Sequence, residues 1–483
     1  MEHKNIASSP PWVFWNGGPT TNKITYNIKK ATDSRFDTWL YSPIISQICD
    51  VKNQIDSIYS QGVWDDYKKI TNPYEYIFLS LSRRMSRSVA ARMPLSRSYF
   101  KMLEIWVGAN LSNEIATLVK NDGGLISSHA AEGPGGFIEA LHNIYENNVK
   151  YSQGMTLRST ARTIPGWRKT TQFLNKHPSI NITYGKDGTG DLLNIENIDY
   201  FIGILTKNKA HVYTADGGFD FSSDFNAQEE TILPLLTAEF YLGLKTLQRG
   251  GVLIVKIFDT LLRPTIELLW LVTRSFREWS IIKPRTSRGG NAERYIVCKG
   301  FIGLEENSEK MFRDVISTKG QIVESYLTTK PNTDFIQTLL TIQETISYQE
   351  TVIIKDTLKL IDNPNLNNIQ RYIEDNIERS IQWCNEMKEE INQNWYDSGW
   401  KSKTIKEEID DLLGSTKEKI KVIGWRGICD DTRNEIIGVD QPRQMPHASK
   451  FARNRPSQPT RTEKNPFRGI HRKEPDEDGW QKV

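Results

Sequence analysis

Short apolar runs and amphipathic stretches alternate along the middle of this chain. Between about Leu125 and Phe301, "GLISSHAAE", "KAHVYTADGG", "GGVLIVKIFD" and "AERYIVCKGF" read as strands, while "GFIEALHNIY", "EETILPLLTAEFYLGLKTL" and "PTIELLWLVTRSF" carry helical spacing. Such alternation predicts an α/β sheet with helices on both faces, in a domain over residues 71–305. Ahead of it, "SPIISQICDVKNQIDSIYSQ" repeats apolar residues at helical spacing, which predicts one helix in an otherwise irregular N-terminal extension, residues 1–70. Beyond it, charge-interleaved stretches such as "RYIEDNIERSIQWCNEMKEEINQNW" predict a helical C-terminal region over 306–440. From Gln441 the chain turns rich in proline and arginine and poor in aliphatics, so 441–483 reads as a basic, disordered tail with an acidic end.

Composition adds bounds rather than identity. A chain of 483 residues can bury a full core. Its formal net charge of +3, with 25% charged residues, is nearly balanced, so a preference for nucleic acid must come from local patches. The four cysteines stand far apart with no CxxC pair, which argues against a zinc site and a disulfide framework and favours a reducing compartment. No apolar run approaches the length of a membrane span, and "MEHKNIASSPPW" lacks the layout of a signal peptide. A soluble intracellular protein without a membrane partner is the expectation.

Chemistry concentrates at strand ends. "HAAEGPGGFIEAL" places Glu132, Gly133, Pro134, Gly135, Gly136 and Phe137 between a strand and a helix, the setting in which open α/β sheets bind nucleotide-like ligands. With no GK[ST] and no GxGxxG, phosphate cradling loses ground. A glycine turn of this kind suits S-adenosylmethionine, whose methionyl and ribose parts press on bare backbone; a tight structural turn is the alternative. Next, "YGKDGTGDLLN" presents Asp187 and Asp191 on a turn where a carboxylate can accept from an adenine amino group. Asp216 then closes "VYTADGG", Lys256 interrupts the apolar "GGVLIVKIFD", Glu293 opens "AERYIVCKGF", and Lys101 sits in "SRSYFKMLEIW" where Phe100, Leu103 and Ile105 look inward. A lysine in apolar company needs partners or work.

In this order, "SRSYFKMLEIW", "AEGPGGF", "DGTGD", "ADGGFDF", "GGVLIVKIFD" and "KPRTSRGGNAERY" resemble the FtsJ-type RNA ribose 2′-O-methyltransferases, most of all the mRNA cap ribose methyltransferases of eukaryotes and large DNA viruses. The likeness covers about residues 71–305. It implies a Rossmann-like, S-adenosylmethionine-dependent sheet and a catalytic tetrad of Lys101, Asp216, Lys256 and Glu293. It also implies donor contacts from Glu132 to Phe137, adenine on Asp191, and no metal. Where many methyltransferases place an acidic residue for the donor's ribose, after the second strand, "YSQGMTLRST" offers none. The implied activity is methyl transfer to the ribose 2′-hydroxyl of a cap-proximal nucleotide. The implied partners are capped mRNA or other RNA, with other capping enzymes or the transcription machinery. Localisation would be cytoplasmic, in the host cytoplasm or a virion for a viral chain, and nuclear for a cellular one. A ribosomal or transfer RNA ribose methyltransferase, or a catalytically weak RNA-binding subunit of a capping complex, remains open.

Basic residues beside these motifs suggest where RNA would lie. Arg83, Arg84, Arg87, Arg92 and Arg97 precede Lys101, and Lys283, Arg285 and Arg288 precede Glu293. Trp12, Phe14 and Trp15 are aromatic faces that could stack on a methylated guanine, or pack.

Overall fold

The central strands are apolar enough to be covered on both faces, and a parallel sheet with flanking helices is what forms. The computed structural model describes residues 13–18, 24–30, 39–59, 63–80, 82–159, 166–167, 170–219 and 226–423. All of them belong to one unit, Met1–Ile428; the expected tail at 441–483 lies outside the described residues. The strands are β1 (Trp15–Asn16), β2 (Tyr26–Lys30), β3 (Leu125–Ala130), β4 (Val149–Met155), β5 (Ile180–Thr183), β6 (Ala210–Ala215), β7 (Leu247–Ile257), β8 (Phe276–Ile282), β9 (Arg294–Phe301) and β10 (Val323–Leu327). The main sheet runs β1-β8-β9-β7-β6-β3-β4-β5, and β2 pairs with β10 in a separate ribbon. Strands β5, β4, β3, β6 and β7 are parallel, whereas β9 is antiparallel to both β7 and β8.

Strand parity sorts the two cores. Along β7, Leu253, Val255 and Ile257 pack with the helices Gln228–Thr246 and Arg263–Thr273. Val252 and Ile254 pack instead with Ser98–Gly108 and Gly136–Tyr145. Successive side chains of a strand point to opposite faces, so both sides of the sheet are dry. Polar residues in the middle strands satisfy one another: His129 Nδ1 lies 2.7 Å from Thr214 Oγ1, and the Ser127 hydroxyl donates to Ser152 Oγ at 2.8 Å.

The flanks share these cores. The helix Pro43–Tyr59, expected from its periodicity, packs against the long helix Thr333–Asp362. The helix Leu366–Met387 sends the wholly buried Trp383 onto Phe100, centroids 5.8 Å apart, and its indole N–H donates to Glu104 Oε2 at 3.3 Å. Four strands escape the sequence pattern. β1 and β2 lie in the N-terminal segment, β8 follows a helix with little punctuation, and β10 interrupts a region that otherwise reads as helical.

Trp383→Ala is expected to lower global stability by about 3–5 kcal/mol, since it empties a filled aromatic site. In denaturant titrations, loss of the C-terminal helices at lower denaturant while the sheet keeps its wild-type midpoint would contradict a shared core.

Candidate active site

The order in which strands are laid down reverses at the middle of the sheet. From β3 the chain builds outward through β4 and β5, then returns to lay β6 and β7 on the other side of β3. The crevice outside the carboxyl ends of β3 and β6 is the switch point at which open α/β sheets take ligands. The turn Glu132–Gly136 leaves β3 there. Gly135 has φ 104°, a backbone that L side chains rarely adopt, and a Cβ at that position would lie 2.7 Å from the Trp167 ring. Gly135 N–H donates to Glu132 O at 2.6 Å, the Thr170 hydroxyl donates to Pro134 O at 2.9 Å, and Gly136 begins the helix. Phe137 is buried with its ring 5.7 Å from that of Tyr295. The Glu132 carboxyl, also buried, accepts from the Thr214 hydroxyl and lies 3.2 Å from His129 Nδ1; burial pushes its pKa up.

Parity brings four distant residues together. Val212 and Thr214 put Asp216 in the same alternation as Val252, Ile254 and Lys256 on the neighbouring strand, and Lys256 stands opposite Tyr295 in the β7–β9 register. Glu293 shares the parity of Tyr295, so Asp216, Lys256 and Glu293 converge on the face covered by the helix that carries Lys101. Lys101 Nζ lies 2.6 Å from Glu293 Oε1, and Lys256 Nζ lies 3.4 Å from Asp216 Oδ1 while donating to Asp216 O at 2.9 Å. Burial alone would push the Lys256 ammonium down, but the carboxylates of Asp216, Glu293 and Glu239 more than offset it, so its pKa is raised. Burial likewise works against the Glu293 carboxylate, and Lys101 and Lys256 prevail, holding it well below the usual carboxylate range.

Two further groups belong here and were not foreseen. The Tyr295 hydroxyl donates to Asp216 Oδ1 at 2.8 Å, fixing the carboxylate that Lys256 uses. Glu239, wholly buried on the helix Gln228–Thr246, lies beneath Gly217, where any side chain would run into its Oε1. Among the described residues no side chain hydrogen-bonds to it, and burial pushes its carboxyl up to about 8, with Lys256 pulling the other way. Its one sequence signal was a glutamate inside an apolar helix.

The acidic turn divides its two candidates. Asp187 is consumed locally: Oδ1 accepts from Thr189 N–H and the Thr189 hydroxyl, at 2.9 and 2.7 Å, and Oδ2 from Asn194 at 2.8 Å. Asp191 uses Oδ1 for Leu193 N–H at 2.9 Å.

Most of the basic residues expected to meet RNA are paired within the protein. Arg84 and Arg87 converge on Glu408 of the C-terminal helix Trp400–Ile423, Arg87 at 2.7 Å, and Arg87 also reaches Asp411 at 2.8 Å. Arg97 donates to the carbonyls of Tyr74, Glu75, Phe78 and Thr286. Arg285 grips Glu104 and Glu386, and Arg288 makes a two-pronged pair with Glu75. Lys283 donates to Asn291 O and Glu293 O at 2.6 and 2.8 Å, and burial pushes its ammonium down to about 7. Among the described members of this set, Arg92 alone keeps a loose pairing, 3.4 Å to Glu389 with its side chain 41% exposed. Phe14 lies under Lys299 and Trp15 against Trp279, so both are packed; Trp12 and the Arg83 side chain lie outside the described residues.

Known proteins resemble this part of the chain in sequence. A family profile described as FtsJ-like methyltransferase matches residues 94–301, somewhat under half of the chain. A cap-specific mRNA (nucleoside-2'-O-)-methyltransferase 1 of Dictyostelium discoideum is 29% identical over 314 residues, covering 61% of this chain and 40% of its own length. The protein of the same description from Trypanosoma cruzi is 34% identical over 187 residues, 38% of this chain and 49% of its own. That of Mus musculus is 33% identical over 189 residues, 37% and 22%. The chain therefore spans half or less of the length of these relatives. The matched residues, 94–301, run from just ahead of the helix bearing Lys101 to the end of the strand that follows Glu293, so the likeness to the FtsJ-like methyltransferases takes in Lys101, Asp216, Lys256 and Glu293.

Proposed function

We propose that this chain is an S-adenosylmethionine-dependent mRNA cap ribose 2′-O-methyltransferase, acting on a cap-proximal nucleotide. The observation that carries the reading is the pairing of Lys101 with Glu293 and of Lys256 with Asp216 beside a glycine turn whose sequence lacks a phosphate-binding motif. The curated relatives named for cap ribose methylation favour that substrate over ribosomal or transfer RNA. A protein acceptor would not require the two lysines, each half-buried at the site.

The residues at the switch point fit the donor. Trp167, Ser96 and Ser98 fill the space that side chains at Gly135 and Gly136 would need and so fix the turn, the buried Glu132 carboxyl stands at its root, and Asp191 keeps acceptor capacity for an adenine amino group. S-adenosylmethionine supplies an electrophilic methyl carbon on a sulfonium. The rest of the chemistry falls to this chain. A ribose hydroxyl is a weak nucleophile near neutrality, so its proton must leave as the oxygen–carbon bond forms and the carbon–sulfur bond breaks. Lys256 Nζ is the group to take it, held by Asp216, which Tyr295 orients. To act, Lys256 must be neutral, and its carboxylate neighbours oppose that; a positive charge arriving beside it pushes the other way. Lys101 and Glu293 complete a rigid frame that aligns oxygen and methyl, worth several kcal/mol of lost orientational freedom in such reactions. Since most of the arginines are internally paired, we assign sequence-independent RNA affinity chiefly to the residues after Gln441.

The reading has direct consequences. Lys256→Ala should abolish transfer of labelled methyl to ribose while leaving donor affinity within about twofold; loss of donor binding along with activity would place the lysine in the donor pocket or the core. The rate should climb about tenfold per pH unit below the Lys256 pKa. Glu239 ionises near pH 8 and then holds the Lys256 proton more firmly, so the wild-type limb should flatten above that point. Glu239→Gln should match wild type at lower pH and exceed it above about pH 8; superimposable profiles would remove Glu239 from the account. Truncation after Gln441 should reduce the slope of log affinity against log salt, and Arg87→Met should leave it unchanged, because phosphate contacts set that slope.

A further inference from the structure

Behind the two strand ends that carry Lys256 and Glu293 lies a second charged cluster, on the opposite face of the sheet. Arg294 follows Glu293 and stands opposite Ile257, so it points to the other side from Lys256 and Tyr295. There its Nη2 meets Asp259 Oδ1 at 2.8 Å, its Nη1 donates to Gln343 Oε1 at 2.8 Å, and its Nε to Ala292 O at 3.0 Å. Asp259 Oδ2 accepts from Lys52 Nζ at 2.8 Å, and Lys52 lies 3.3 Å from Glu350. Gln343 closes the ring, donating to Asp259 Oδ1 at 2.9 Å and accepting from the N–H and hydroxyl of Thr260 at 3.1 and 3.0 Å.

Every member is buried, with Arg294, Gln343 and Glu350 at 0% exposure. Two cations and two carboxylates balance, as a buried cluster must if it is not to leave a bare charge. The origins of the members matter more than their number. Lys52 comes from the helix Pro43–Tyr59, Gln343 and Glu350 from the helix Thr333–Asp362, Asp259 from just beyond the end of β7, and Arg294 from the start of β9. Asp259 is three residues beyond Lys256, and Arg294 is the neighbour of Glu293. Lys283 grips the carbonyls of Asn291 and Glu293 as well, so the approach to β9 is held along its backbone.

We infer that Lys52, Asp259, Arg294, Gln343 and Glu350 are positioning residues, through which the helices on either side of the matched segment set the placement of Lys256 and Glu293. The inference rests on the proposed methyl transfer. In-line transfer between a hydroxyl and a methyl tolerates little displacement, so a loosened strand end slows chemistry before it weakens binding. The flanking helices thus contribute to the rate without touching either substrate.

The test uses the full chain. Lys52→Met/Glu350→Gln removes one cation and one carboxylate together, so the variant keeps the charge balance that folding needs. Thermal melting and donor affinity should stay near wild type, kcat should fall by on the order of tenfold or more, and KM for RNA should change less than about twofold. Arg294→Lys should retain more activity than Arg294→Met. Amide exchange over residues 254–258 and 291–296 should quicken in the double variant, with β3 and β4 unchanged. A folded double variant with wild-type kcat and wild-type exchange at those segments would overturn the inference. Should the wild-type chain transfer no methyl to RNA, the functional reading fails on its own, and the exchange measurement still decides whether the cluster holds the two strand ends.

Discussion

Two lysines and their carboxylate partners meet in a space from which water is largely excluded, and the rest of the structure is arranged to make that tolerable. An isolated ammonium so placed would lose its proton or be expelled. Lys256 is retained because Asp216, Glu293 and Glu239 surround it, and Glu293 stays ionised because Lys101 and Lys256 face it. The four segments involved are far apart in the chain. Strand parity at the ends of β6, β7 and β9 and one helix face bring them together. Gly217 is bare because Glu239 needs its space.

Much of this was legible. Lys101, Asp216, Lys256 and Glu293 could be singled out because each is a charged residue at a strand end or in an apolar helix, and such positions need partners. The parallel core strands were legible from runs of apolar residues between turn signals. Other features were hidden because their causes are long-range. Arg84 and Arg87 look like free basic residues until Glu408, more than 300 positions later, is folded against them. The two-residue β1 has no period to detect, and β2 and β10 define each other only by pairing across the chain. Tyr295 reads as an ordinary strand aromatic until its hydroxyl is seen on Asp216.

The internal pairing of these arginines changes the picture of the molecule. A basic run beside a candidate lysine suggested a phosphate track. Those side chains tie the region ahead of Lys101 to the C-terminal region through Glu408 and Glu389, and Arg285 adds a tie to Glu386. Trp383 on Phe100, beside Lys101, belongs to the same seam. The helices outside residues 94–301 therefore share the core of that segment instead of hanging from it.

The most direct measurement compares methyl transfer from labelled S-adenosylmethionine to three short RNAs: one capped with 7-methylguanosine, one capped with unmethylated guanosine, and one uncapped. The modified position is then mapped by nuclease digestion. The account predicts label on a cap-proximal ribose 2′-oxygen, with uncapped RNA inert. Equal transfer to all three RNAs, or label on a base, would contradict it.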